Sequence, residues 1–138
     1  MEQAVFGLET YKFDQVELRF EGDRSREIDV NFEPKGLFRY DSQIFELRLI
    51  FTAKNKDTDI PFVKIRCVAY FKFDNQNKVS FDKIPPYFFA NSLAIIFPYI
   101  RAFVSTITLQ TNIQPAIVIP TWNLMSLNEV LKSNTQHC

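Results

Sequence analysis

The segment Ala94–Gln110, AIIFPYIRAFVSTITLQ, constrains the fold more than any other stretch of the chain. Leu93, Ile96, Phe97, Ile100, Phe103, Val104 and Ile107 recur at spacings of three and four, which places them on one face of a helix. Ile95, Tyr99 and Leu109 widen that face. A helix apolar over most of its circumference needs two burial partners, such as its own sheet and another subunit. Pro98 is expected to kink this helix or divide it near Phe97, because proline lacks the amide proton and crowds the preceding turn. Pro98, Arg101 and Ser105 interrupt the apolar run, so no membrane span is expected.

Everything upstream reads as strands that such a helix could cover. Thr10–Phe20 alternates, with Tyr11 and Phe13 on one parity and Val16, Leu18 and Phe20 on the other. The switch at Asp14–Gln15 predicts a bulge or break. Glu21–Ser25 is a turn. Arg26–Glu33 alternates again, with Ile28, Val30 and Phe32 on one face, and Pro34 and Gly36 are expected to end it. Ile44–Lys54 and Phe62–Asp74 are the clearest strands. Phe45, Leu47, Leu49, Phe51 and Ala53 share one face, as do Val63, Ile65, Cys67, Ala69, Phe71 and Phe73. The short polar turn Asn55–Asp59 makes them a long antiparallel hairpin, apolar on one face and charged on the other, hence covered on one side only.

A helical start is expected near Pro85 or Pro86, where proline suits a first turn. Asn112–Pro120 is a proline-bracketed apolar linker. Ser126-Leu-Asn-Glu129 has the capping-box form and opens a short helix with Leu127, Val130 and Leu131 on one face. Asn134–Cys138 reads as a frayed end. With 138 residues, one domain over 1–138 is the default.

Chemistry is sparse. His137 is the sole histidine and sits in the terminal tail, so neither a Ser-His-Asp nor a Cys-His site can be assembled on an ordered imidazole. Cys67 and Cys138 cannot supply a zinc set or a disulfide framework, and they suit a reducing compartment, here the cytoplasm. Cys67 lies on the apolar parity of its strand and reads as a buried structural thiol. Three glycines exclude a Gly-rich phosphate loop. The sequence MEQAVFGLE has no basic segment followed by an apolar run, so no signal peptide is expected. Zero net charge argues against nucleic acid or an anionic membrane as partner. Asp29, Glu33 and Glu46 read as a solvated sheet face. Lys64, Arg66 and Lys72 form a basic row whose plain reading is also a solvated face, and whose sharper reading is a dock for an acidic partner. The surplus of 15 Phe can fill a core or line a sticky surface. Periodicity alone does not say whether Tyr99, Ile28, Val30 and Phe32 are plain core or the walls of a partly open groove.

At FPYIR, Phe97–Arg101, the chain resembles the SecB protein-export chaperone family, whose long helix carries an FPYAR-like motif. The likeness extends through the hairpin Phe45–Phe73 and to Pro120, Asn123 and Leu124, which resemble the family's proline–Asn–Phe signature with one residue inserted. The resemblance implies an α+β fold, a four-stranded antiparallel sheet with two helices packed on one face. It implies a homotetramer, a dimer of dimers with the motif helix at subunit contacts. The assembly would hold unfolded client polypeptides in apolar grooves and deliver preproteins to the SecA motor, without cofactor, metal or catalysis. Carried over residue by residue, the groove positions are Ile28, Val30, Phe32, Val63 and Tyr99. The outer sheet face that meets the motor corresponds to Asp14, Lys64 and Arg66. Asp14 keeps the family's acid on the first strand, whereas Lys64 and Arg66 stand where the family has carboxylates and an aliphatic. That reversal opposes a charge-mediated SecA contact and favours an alternative, a SecB-like chaperone dedicated to one partner such as the antitoxin of a toxin–antitoxin system. A small-ligand-binding α+β domain, with a pocket between sheet and helix, is the third reading.

Overall fold

A computed structural model describes residues 6–20, 28–56, 58–111, 119 and 125–138. The elements in chain order are β1 (Phe6–Leu18), β2 (Ile28–Arg39), β3 (Ile44–Asn55), β4 (Val63–Phe73), a 3-10 turn (Phe81–Lys83), α1 (Tyr87–Gln110), α2 (Met125–Ser133) and β5 (Thr135–His137). The turn Glu21–Ser25, most of the linker Asn112–Pro120, and the signature residues Pro120, Asn123 and Leu124 lie outside the described residues, as does the start of the chain.

The β3–β4 hairpin forms as its alternation predicts. Ala53 sits opposite Val63 and Phe45 opposite Phe71, so both apolar parities share one face, and every member of the two sets is buried. β1 is more instructive. It pairs Phe6, Leu8, Tyr11, Phe13, Val16 and Leu18 with the odd-numbered, core-facing residues of β4. Two register shifts, between Leu8 and Thr10 and between Phe13 and Gln15, reset the parity each time. The bulge expected at Asp14–Gln15 is therefore what keeps apolar residues on the inner face along the whole strand. Asp14 is the extra residue of that bulge.

The sheet has five strands in the order β1-β4-β3-β2-β5, not four, and it is mixed rather than antiparallel. β5 runs parallel to β2 with Gly36 opposite Thr135. The end of the chain is thus a strand and not a frayed tail. A Cβ at Gly36 would lie 2.5 Å from Phe45 Cζ and 2.6 Å from Thr135 Oγ1, so glycine is what lets β5 close on β2. His137 stacks on Phe81 with centroids 4.4 Å apart and planes at 7°.

β2 also runs through Pro34 and Gly36 instead of stopping there. Gly36 N–H donates outward to Asn134 O, away from β3. Pro34 shares that parity, so its missing N–H falls on the outer side of the strand and the β3 ladder loses nothing.

α1 is one continuous run of 24 residues with Pro98 inside it, so the expected division does not occur. Pro98 and Ala94 both sit on the exposed side of α1. The Ala94 carbonyl deprived of its donor is therefore within reach of water, which lowers the cost of the proline. By length and composition α1 could cross a membrane. In this fold its buried face, with Phe88, Phe89, Leu93, Ile96, Ile100 and Val104, packs into the same core as β3 and β4. α2 contributes Leu127 and Leu131 to that core. It begins at Met125, so Ser126 lies within the helix and not at its N-cap.

Gln43 fastens the β2–β3 turn. It has φ 56°, the left-handed region, and is fully buried. Its Nε2 donates to Tyr40 O at 2.7 Å and Val79 O at 3.1 Å, and its Oε1 accepts from Val79 N–H at 2.9 Å. Gln43→Ala should cost about 2–3 kcal/mol, because Val79 loses both partners. Gln43→Gly should cost about 1 kcal/mol less than the alanine, since glycine takes this φ without a Cβ clash. Urea unfolding of the two variants checks the order.

Candidate functional site

The groove positions separate into two groups on opposite flanks of α1. Phe32, Val30 and Ile28 lie on β2, whereas Tyr99 faces β1, and β3 and β4 stand between those strands. Phe32 is buried, with its ring 5.2 Å from Phe51 and 5.6 Å from Phe97. Ile28 and Val30 are half-buried and pack against the core. Val63 is fully buried between Leu18 and Ala53. It supports the core from beneath and does not line an open surface in the protomer.

Tyr99 has a different set of neighbours. It is 43% exposed, and its ring lies 4.6 Å from that of Tyr11, which is 38% exposed. One helical turn further on, Phe103 stacks on Phe13 at 4.0 Å with planes at 8°. Tyr11 and Phe13 meet edge to face at 6.0 Å. The result is a strip of four rings along the seam between α1 and β1, extended by exposed Val16. Sequence reasoning does not single out Tyr11, Phe13 and Phe103 as site residues. A signal for them is present: two aromatics at i and i+2 on a strand, and Tyr99 and Phe103 at i and i+4 on a helix. What the sequence lacks is the pairing of those two seams. The outward side of α1 adds Ala94, Ile95, Pro98, Ala102 and Leu109, and Arg101 is the helix's single charged residue.

On the opposite face of the sheet, Arg66 and Asp14 are partners. Arg66 donates Nε–H to Oδ1 at 2.8 Å and Nη2–H to Oδ2 at 2.7 Å. The bulge is what carries the Asp14 carboxylate over to β4. The side-chain hydrogen bonds from Arg66, and secondarily its charge, hold the Asp14 carboxyl below its ordinary value. A depressed folded value means that this pair's contribution is present above the unfolded carboxyl pKa and is lost as pH falls through the folded one. Arg66→Gln should raise the Asp14 carboxyl pKa, read by NMR titration of that carboxyl, and shrink the acid-side loss of stability. Lys64 sits opposite Glu17 on β1 and Thr52 on β3. The three docking positions thus share one face, with two of them consumed by each other.

Among the described residues no group of three His, Cys, Asp or Glu is placed to hold a metal. Burial, and then the nearby Asp14 charge, push the Cys67 thiol up to about 12. Cys138 is exposed. Ellman's reagent should therefore titrate one thiol per native chain, and the second only after unfolding.

No protein-family model matches the chain. An uncharacterised protein of Methanocaldococcus jannaschii is 41% identical over 58 residues, a stretch covering 40% of this chain and 37% of that relative. The chain thus matches little more than a third of its relative's length. A similar solved structure is the Mycobacterium tuberculosis Rv1957 SecB-like chaperone in complex with a ChAD peptide from the Rv1956 HigA1 antitoxin. It superposes with a TM-score of 0.69 at 15% identity, covering 86% of this chain and 91% of that one. The fold is SecB-like. A protein of unknown function from Streptococcus agalactiae aligns with a TM-score of 0.47 at 9% identity, over 87% of this chain and 100% of that one.

Proposed function

We propose that the protein is a chaperone that holds non-native polypeptide in the cytoplasm, and that it is dedicated to one partner. The observation that carries the holding activity is the ring strip of Tyr11, Phe13, Tyr99 and Phe103, in which the two tyrosines are exposed and the two phenylalanines half-buried beneath them. A strip of this kind binds by removing apolar area from water, at about 25 cal/mol per Å², with little demand on client sequence. The solved chaperone of like fold holds a peptide from an antitoxin, and an antitoxin is the partner class proposed here. The Asp14–Arg66 pair favours this reading over general export. The acid that a SecA contact would use is already paired with Arg66.

The assembly proposed is a homotetramer, a dimer of dimers. The outward side of α1, mostly apolar or small with Asn91, Thr106 and Gln110 as its neutral polar residues and Arg101 as its one charge, is the surface it would cover, since an exposed helix face this poor in charge normally meets another chain. Mass in solution tests this directly, and a stable monomer would count against it.

For the activity, a denatured client is diluted into buffer with and without equimolar protomer, and light scattering is followed. Suppressed aggregation is expected. A panel of unrelated clients is then compared with the products of the genes neighbouring this protein's own, and SecA is offered in a separate pull-down. Unchanged scattering for every client sinks the holding activity. Equal suppression across the panel, with SecA retained at physiological salt, would restore general export.

A further inference from the structure

The outer face of the sheet is not uniformly charged. Cross-strand register places Lys12 opposite Val68, Val68 opposite Arg48, and Arg48 opposite Lys35. These residues form one row across four strands, about 14 Å long at the usual spacing between neighbouring strands. Around Glu46 the cations outnumber the acid. Glu46 is 5% exposed, accepts from Arg48 Nε–H at 2.8 Å and lies 4.0 Å from Arg39 Nη1. Arg48 meets it through Nε, so its Nη groups remain without a partner among the described residues, and Lys35 has no ion pair among them. At the other end of the same face each lysine has an acid as its cross-strand neighbour, Lys64 opposite Glu17 and Lys54 opposite Asp29.

A half-open pocket of about 460 Å³ lies at the basic end. Lys35, Leu37, Glu46 and Arg48 form one wall, and the returning segment 133–136 forms the other. The pocket exists because β5 docks beside β2.

We propose that this pocket and its basic row dock an acidic segment of a partner protein, seating one carboxylate between Lys35 and Arg48. Glu46 serves as the buried counter-ion that fixes the Arg48 guanidinium, leaving its free edge to take a carboxylate in a bidentate pair. An extended segment crossing the strands then reaches Lys12 within about four residues, at roughly 3.3 Å per residue. A nucleic acid fits less well, since neutralising a phosphate backbone needs more surplus cations than this row supplies. The site lies on the face opposite the aromatic strip and stands whether or not the strip holds clients.

The test uses the full chain without client. A labelled peptide with eight consecutive glutamates, a matched glutamine peptide and an eight-nucleotide oligothymidylate are titrated by fluorescence anisotropy at low and high salt. The glutamate peptide should bind about tenfold or more tightly than the glutamine peptide at low salt and weaken as salt screens the contact. Lys35→Glu should weaken it by about tenfold or more, and Lys54→Glu, the same charge change at the balanced end, by less than about twofold. Neither lysine is buried, and thermal melting of both variants confirms that they fold. Equal loss in the two variants would reduce the effect to overall charge and overturn the site. Absence of glutamate-peptide binding at low salt would do the same. Oligothymidylate binding as tightly as the glutamate peptide, with the same dependence on Lys35, would overturn the partner class.

Discussion

Phe88→Ala is expected to destabilise the protein by about 3–5 kcal/mol, against a total of about 5–15 kcal/mol typical of a domain. Phe88 is fully buried in the first turn of α1. Its ring lies 4.6 Å from Phe6, 4.9 Å from Phe45 and 4.9 Å from Phe73, with Phe89 at 5.6 Å and Phe71 at 5.9 Å. One side chain therefore ties the helix start to β1, β3 and β4 together. Truncation removes the transfer energy of the ring and leaves a cavity whose walls are themselves rings held on three strands, so collapse into it is restricted. Urea unfolding should show a lower midpoint with an unchanged slope. A loss below about 1 kcal/mol would mean that the neighbouring rings close the cavity, and the account of Phe88 as the anchor would be wrong.

Phe88 also shows where sequence reading stops. The alternation in β3 and β4 was legible because a period of two with a charged opposite parity fits a half-buried strand and little else. The bulge at Asp14 was legible for the same reason, as a break in parity. Both are local signals. Pro34 and Gly36 resemble terminators because their cost depends on which side of the strand faces the ladder, and only the pairing with β3 and β5 reveals that. Pro98 resembles a break because its cost depends on whether the orphaned carbonyl meets water. β5 has three residues and no period, so nothing local announces it; it exists because Gly36 leaves room. The site follows the same rule. Tyr99 is marked by its helix motif, but its partner Tyr11 lies on a different element, and the Asp14–Arg66 pair joins residues far apart in sequence. The α+β class and the helix face are local. The fifth strand, the ring strip and the neutralised acid are properties of the pairing.

The second large effect separates the two flanks of α1. Tyr11→Ser with Tyr99→Ser should lower stability by only about 1–2 kcal/mol, since both rings are partly exposed and lose chiefly their mutual contact, yet weaken client holding about a hundredfold or more. Central aromatic residues at a binding surface each contribute about 2 kcal/mol or more when truncated. The two rings lie 4.6 Å apart and form one platform, so their losses should not simply add. The measurement is the protomer concentration that halves aggregation of a denatured client, with affinity for a client peptide read by calorimetry. The companion variant is Ile28→Ser with Val30→Ser on β2, which removes the other apolar flank. If the Tyr pair abolishes holding while the β2 pair leaves it, the client lies along the α1–β1 seam. If the β2 pair abolishes holding and the Tyr pair instead lowers the mass in solution, the ring strip is a subunit contact and the client surface is β2. Ile28 and Val30 pack against the core, so urea unfolding of both variants accompanies the assay, and holding is compared only under conditions where each is fully folded.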